Sequence, residues 1–140
     1  MPKQTALYLP ANVNNSGVNF VNSDGVAFKN LYTAGNNDSD VYSIIAASND
    51  SSVRAFQLAI QRSSINYPLG TISIPTGAGG TSAAVPSVDM INSTSVPGLP
   101  VNGAGKRYIS LRSGENLVVA PMVAFTAGAT GWVSAFGQDY

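Results

Sequence analysis

From Val26 onward, turn-forming residues recur about every ten positions, and the stretches between them are short runs of β-branched and aromatic residues. These runs are "VAFKNLY" (26–32), "VYSIIAA" (41–47), "VRAFQLAIQ" (53–61), "GTISIP" (70–75), "KRYISL" (106–111), "ENLVVAPMVAF" (115–125) and "TGWVSAFG" (130–137). Loops such as "TAGNNDSD", "SNDSS" and "TGAGGTS" separate them, built from residues that bond their own backbone or tolerate positive φ. The spacing predicts an all-β chain, not an alternation of strands and helices. A two-sheet β-sandwich of Greek-key or jelly-roll type follows, with about seven or eight strands.

Segment 53–61 also fits a helical stripe through Val53, Phe56 and Ile60. The short polar loop before it and its β-rich neighbours favour a strand forming a hairpin with 41–47. One brief helix is expected over 85–92, "VPSVDMIN", with Pro86 at its start and Ser87 or Asp89 serving its free N–H groups. Pro121 falls inside 115–125, which predicts an edge or bulged strand there. Residues 26–140 are expected to form one sandwich domain. Residues 1–25, with the Asn-rich "ANVNNSGVNFVNSDG", are expected to form a frayed terminus or an extended arm that orders against a partner. Leu7, Tyr8, Leu9 and Phe20 are the candidate contacts of that arm.

Composition narrows the function classes. Hydrophobic residues make up 44% and charged residues only 10%, with a formal net charge of zero. No long-range field steers such a chain toward nucleic acid or anionic lipid, and no net repulsion keeps copies apart. Nucleic acid and membrane are therefore not expected partners, and self-association is. The longest strongly apolar run, "LVVAPMVAF" (117–125), is far short of a membrane span. "MPKQTALYLPAN" has no apolar core of a signal peptide, so synthesis and assembly in a cytoplasm are expected.

The chain has no histidine and no cysteine, which removes Ser–His and Cys–His nucleophiles and soft metal sites. Carboxylates remain: Glu115 and six aspartates. Asp38 and Asp40, beside Asn36 and Asn37, are the weak cation candidates, with solvated Asx turns the expected reading. The loop "PTGAGGTS" lacks the lysine of a phosphate-binding loop. Lys106, Arg107 and Arg112 form the remaining basic cluster. On an alternating strand Lys106 and Arg112 share a face with Tyr108, and these cations are expected to pair with Glu115 or with a neighbouring subunit. No catalytic residue, cofactor or metal is assigned.

The stretch "SVPGLPVNGAGKRYISLRSGENLVVAPMVAFTAGATGWVSAFGQDY" (95–140) resembles the C-terminal part of small jelly-roll-like virion proteins of tailed bacteriophages. "VYSIIAASNDSSVRAFQLAI" and "YPLGTISIPTGAGGT" are similar to the same group's middle strands and loops, so the likeness spans roughly 26–140. It implies a non-enzymatic capsid decoration (cement) protein at the virion surface, bound to the major capsid protein and assembled as a trimer. It also implies that the Pro97–Pro100 corner crosses between sheets, that Asn102–Gly103 and Gly114 supply positive-φ turns, and that residues 1–25 touch the shell or a neighbour. Trp132 shares a strand face with Phe136; core packing is its expected role and an interface anchor the alternative. Lys106, Arg112 and Trp132 join Leu7, Tyr8, Leu9 and Phe20 as interface candidates. The rivals are a tail or fibre module binding glycans beside Tyr32, and a carboxylate glycosidase fragment around Glu115.

Overall fold

The chain pairs with itself as one long antiparallel ribbon, folded double and rolled. The computed structural model describes residues 12–80 and 85–140. Its strands are β1 (Asn12–Val21), β2 (Lys29–Thr33), β3 (Ser39–Ser48), β4 (Arg54–Arg62), β5 (Ile65–Ile74), β6 (Val88–Asp89), β7 (Ile109–Leu111), β8 (Asn116–Pro121) and β9 (Thr130–Asp139). The pairings nest: β4 with β5, β3 with β6 and β7, β2 with β8, β1 with β9. Rolling this ribbon gives two sheets. Sheet A runs β1-β9-β3, with β6 and β7 both on the far edge of β3, and sheet B runs β2-β8-β4-β5. This is the jelly-roll form of the sandwich expected from the sequence.

Alternation drives the packing. Along β9, Val133 and Ala135 point inward and are fully buried, while Trp132 and Phe136 point outward. The core between the sheets is bridged by Phe20, Phe56 and Phe125, with ring centroids 5.5 Å apart for the first pair and 5.7 Å for the second. Leu58, Ile74, Ile44, Leu111 and Leu117 fill the space around them. Burying each such side chain contributes about 1.5–3 kcal/mol, which is how a chain without disulfides holds two sheets together. Gly131 makes the aromatic packing possible: a Cβ there would stand 2.2 Å from the Phe125 ring.

Several expectations are corrected. Asn12–Val21 is a full strand of sheet A, so the arm boundary at residue 25 does not hold; residues 1–11, with Leu7, Tyr8 and Leu9, lie outside the described residues. The helix expected over 85–92 is instead the two-residue β6 followed by turns. Met90 N–H donates to Ile44 C=O at 2.8 Å, and Asp89 and Asn92 accept from backbone amides ahead of them. The open edge of β3 outcompetes a weak helix. β3 and β4 do not form a hairpin, because "SNDSS" carries the chain from sheet A to sheet B. The Pro97–Pro100 corner does not cross between sheets, since β6 and β7 on either side of it both pair with β3; the crossing comes between Leu111 and Asn116. Gly114 has positive φ there as expected, but the 102–106 turn uses Gly105 and not Asn102–Gly103. Pro121 ends β8, an interior strand of sheet B.

Candidate functional site

The outer face of sheet A is an uncharged surface built jointly by β1, β9 and β3. The register sets Trp132 between Asn19 of β1 and Ala47 of β3, Ser134 between Gly17 and Ile45, and Phe136 between Asn15 and Ser43. None of these nine positions carries a charge. Trp132, Phe136 and Ile45 are 38%, 44% and 37% exposed. Two aromatic rings four residues apart on one strand stand about 13 Å apart, a span that two anchors of one flat contact can use. Gly17 leaves a shallow depression beside Trp132, lined also by Val18, Asn19 and Ser134. On the other side Gly80 lies under the indole, where a Cβ would stand 3.0 Å from the ring. Gly80 of the glycine-rich loop therefore seats Trp132.

At one end of the face a tyrosine cluster closes the sheet. Tyr140 donates to Asp40 Oδ2 at 2.6 Å, Gln138 Nε2 donates to the Tyr42 hydroxyl, and Tyr42 lies 6.2 Å from Tyr108 between ring centroids. Burial, then the bond to Asp40, pushes the Tyr140 phenol well above its ordinary value. A recess at the rim is lined by Tyr42, Ser43, Asp89, Lys106 and Arg107.

A second, separate cleft is polar, lined by Arg62, Ser63, Ser110, Arg112, Ser113, Gly114 and Glu115. Glu115 is 5% exposed and is paired with Arg62 Nε, while its other oxygen accepts from Arg112 N–H at 2.7 Å. The cation expected for Glu115 from the 106–112 cluster thus comes from the β4–β5 hairpin instead. Among the described residues Glu115 is the one carboxylate that lines this cleft.

The remaining candidates separate cleanly. Phe20 is fully buried against Phe56, with Lys29 over its ring, and is unavailable to a partner. Lys106 is exposed at the rim recess and Arg112 is exposed on the polar cleft. The two do not share a strand face, because only Ile109–Leu111 is strand. Trp132 is on the surface, not in the core. Tyr32 is 1% exposed and donates to Asp139 at 2.9 Å, which removes it as a glycan platform. Asp38 accepts from Ser113 N–H at 2.9 Å and Asp40 from Tyr140, so each serves the fold; among the described residues no three His, Cys, Asp or Glu side chains form a metal-holding group. Sequence reasoning missed Ile45, Gly17, Asn15 and Asn19 as parts of the face. The only signal was the outward alternation on β1 and β3, and it was masked by the asparagines.

No protein-family model matches the chain, and no curated protein matches it. Among solved structures, the chain is similar in outline to a chain of the "acidic stable capsid structure of Helicobacter pylori bacteriophage KHP30". The identity is 11%, the match covers 93% of this chain and 90% of that one, and the TM-score is 0.48. A likeness at that distance bears on neither residues nor role.

Proposed function

We propose that this chain is a non-enzymatic structural protein of a bacteriophage virion, and within that class a capsid decoration (cement) protein that binds the major capsid protein. The observation that carries the proposal is the uncharged outer face of sheet A, with Trp132, Phe136 and Ile45 partly exposed on paired strands. Aromatic anchors held by a strand register suit a contact repeated many times over a shell, where avidity multiplies a modest affinity. The absence of charge from these nine positions lets many copies crowd without repulsion. The sequence resemblance over 26–140 supports the same reading, and the jelly roll is the fold that the resemblance implies. Fold alone would not assign the role.

The test is co-sedimentation of purified protein with capsids that lack it. Saturable binding supports decoration. Its absence, with the protein folded, overturns it.

One observation favours a second reading. Trp132 stands beside Asn19, Gly17 and Ser134, an aromatic ring flanked by hydrogen-bonding side chains at a shallow depression. A sugar ring stacks on such a platform, so a tail or fibre module binding host glycans is the alternative. Glycan-array binding lost in Trp132→Ala, without capsid binding, would decide for it.

A further inference from the structure

Strand edges are where β proteins associate, and jelly rolls leave edges open. Among the described residues, three of the four sheet edges carry guards. β5 holds Pro68 and a register shift against β4 between Leu58 and Ala59. β2 is five residues long, with Lys29 and a bulge between Asn30 and Tyr32. β6 and β7, on the far edge of sheet A, are two and three residues. β1 differs: its ten residues, "NVNNSGVNFV", pair with β9 without a register shift and contain no charge and no proline.

Which backbone groups of β1 are open follows from its own bonds. Val21 N–H donates to Asp24 Oδ2 at 2.8 Å, and Asn19 C=O accepts from Lys29 Nζ at 2.7 Å, so odd positions face away from β9. The other side agrees: Asn49 N–H donates to Thr130 C=O, so even positions of β9 serve β3 and its odd positions serve the even positions of β1. Asp24 and Lys29 thus close one end of the edge. Among the described residues the stretch from Val13 to Asn19 has no strand beside it on this edge, and it is centred on Ser16.

We propose that β1 pairs antiparallel with β1 of a second copy across a two-fold axis at Ser16. This register sets Val13 against Asn19 of the partner subunit and Asn15 against Gly17 of the partner subunit. Every pair is one in which two residues exchange N–H···O=C bonds, so each open group from Val13 to Asn19 finds a partner. Asn19 C=O keeps Lys29 and accepts on its second lone pair. The match is self-complementary: no like charges meet, each Asn15 side chain lies over a residue with no side chain, and Val13, 87% exposed, gains a neighbour. The two copies of sheet A become one sheet, and the Trp132 and Phe136 rings of both lie on a single continuous face. The symmetry is two-fold, where the sequence resemblance implies a trimer. The inference goes beyond shell binding and is tested on the protein alone.

The chain has no cysteine, so one substitution reports the axis directly. Ser16 faces itself as a non-hydrogen-bonded pair, with Cα atoms about 4.5 Å apart, within disulfide reach. Ser16→Cys is expected to form a covalent dimer under mild oxidation, at least tenfold faster than Ala127→Cys on an exposed loop. By light scattering the native protein is expected to be a dimer and Asn15→Pro a monomer of unchanged fold, because the N–H removed is not in the β1–β9 ladder. Gly17→Lys, which puts a charge on the edge, is expected to act the same way should the proline variant fail to fold. Monomeric or trimeric native protein, a dimer that survives both variants, or equal cross-linking at 16 and 127 overturns the proposal. A dimer that forms only after deletion of residues 1–11 also overturns it, assigning the edge to that segment.

Discussion

Asp50 accepts two hydrogen bonds from Thr126, one from the backbone N–H and one from the hydroxyl, both at 2.9 Å. Ser52 N–H and Arg54 Nε add to the same carboxylate, which is 1% exposed. The crossing from sheet A to sheet B is thereby tied to the loop ahead of β9. Burial alone would raise the Asp50 carboxyl; the bonds from Thr126, Ser52 and Arg54 outweigh it and hold the group well below the ordinary carboxylate range.

A depressed folded-state value means that the stability Asp50 contributes is complete above the unfolded carboxylate's pKa of about 3.9 and is lost as pH falls below it. Asp50→Ala removes the acceptor and leaves its donors unpaired, at a cost of about 3 kcal/mol near neutral pH. Thermal melts of native and variant protein between pH 7 and pH 2 check this. The gap between them should be widest at neutral pH and narrow on acidification.

Gly131→Ala would push a methyl into the Phe125 ring, and overpacking of this kind costs about 1–3 kcal/mol. Phe125→Leu in the same chain should recover part of that loss by making room. Urea unfolding of the two single variants and the double variant gives the coupling; strict additivity would contradict the contact.

Two tyrosines should titrate late. Burial first, then the bonds to Asp139 and Asp40, raises the phenols of Tyr32 and Tyr140 well above the ordinary value of about 10. The contribution of a raised group is intact below the unfolded pKa and is lost as pH rises through the folded one. Absorbance at phenolate wavelengths near pH 11 should therefore show a tyrosine signal that appears only on unfolding, and Tyr32→Phe and Tyr140→Phe should each reduce that unfolding-dependent signal by one phenol's worth.

Trp132 is the only tryptophan, so its emission reports on the outer face alone. Docking of that face should blue-shift the emission as water leaves the indole. Trp132→Ala should cost about 1–2 kcal/mol of stability, the share of a large apolar side chain that is buried against Gly80 and its strand neighbours.

Much of the fold was legible because strands of a sandwich carry their own signals. The runs from Tyr42 to Ala46 and from Phe56 to Ile60 alternate, and Gly114 marks a real positive-φ turn. β1 was not legible, because its inward positions include Asn14 and Ser16. Asn14 is satisfied by Asp139, a residue 125 positions away that no local pattern reveals. The same distance hid the nested pairing: a short polar loop such as "SNDSS" reads as a hairpin whether the next strand returns beside the last or crosses to the other sheet. Trp132 was expected inside on size alone. What exposes it is the register of β9, where an even position next to buried Val133 must face out.

The most direct test of the outer face of sheet A as the shell contact is capsid co-sedimentation of a Trp132→Ala, Phe136→Ala double variant beside native protein. Both rings are partly solvent-facing and neither is in the core between the sheets, so the variant should still melt cooperatively, at a lower midpoint, and lose at least tenfold in shell affinity. A folded variant that saturates the shell at the native concentration would contradict the claim that the outer face of sheet A carries the function.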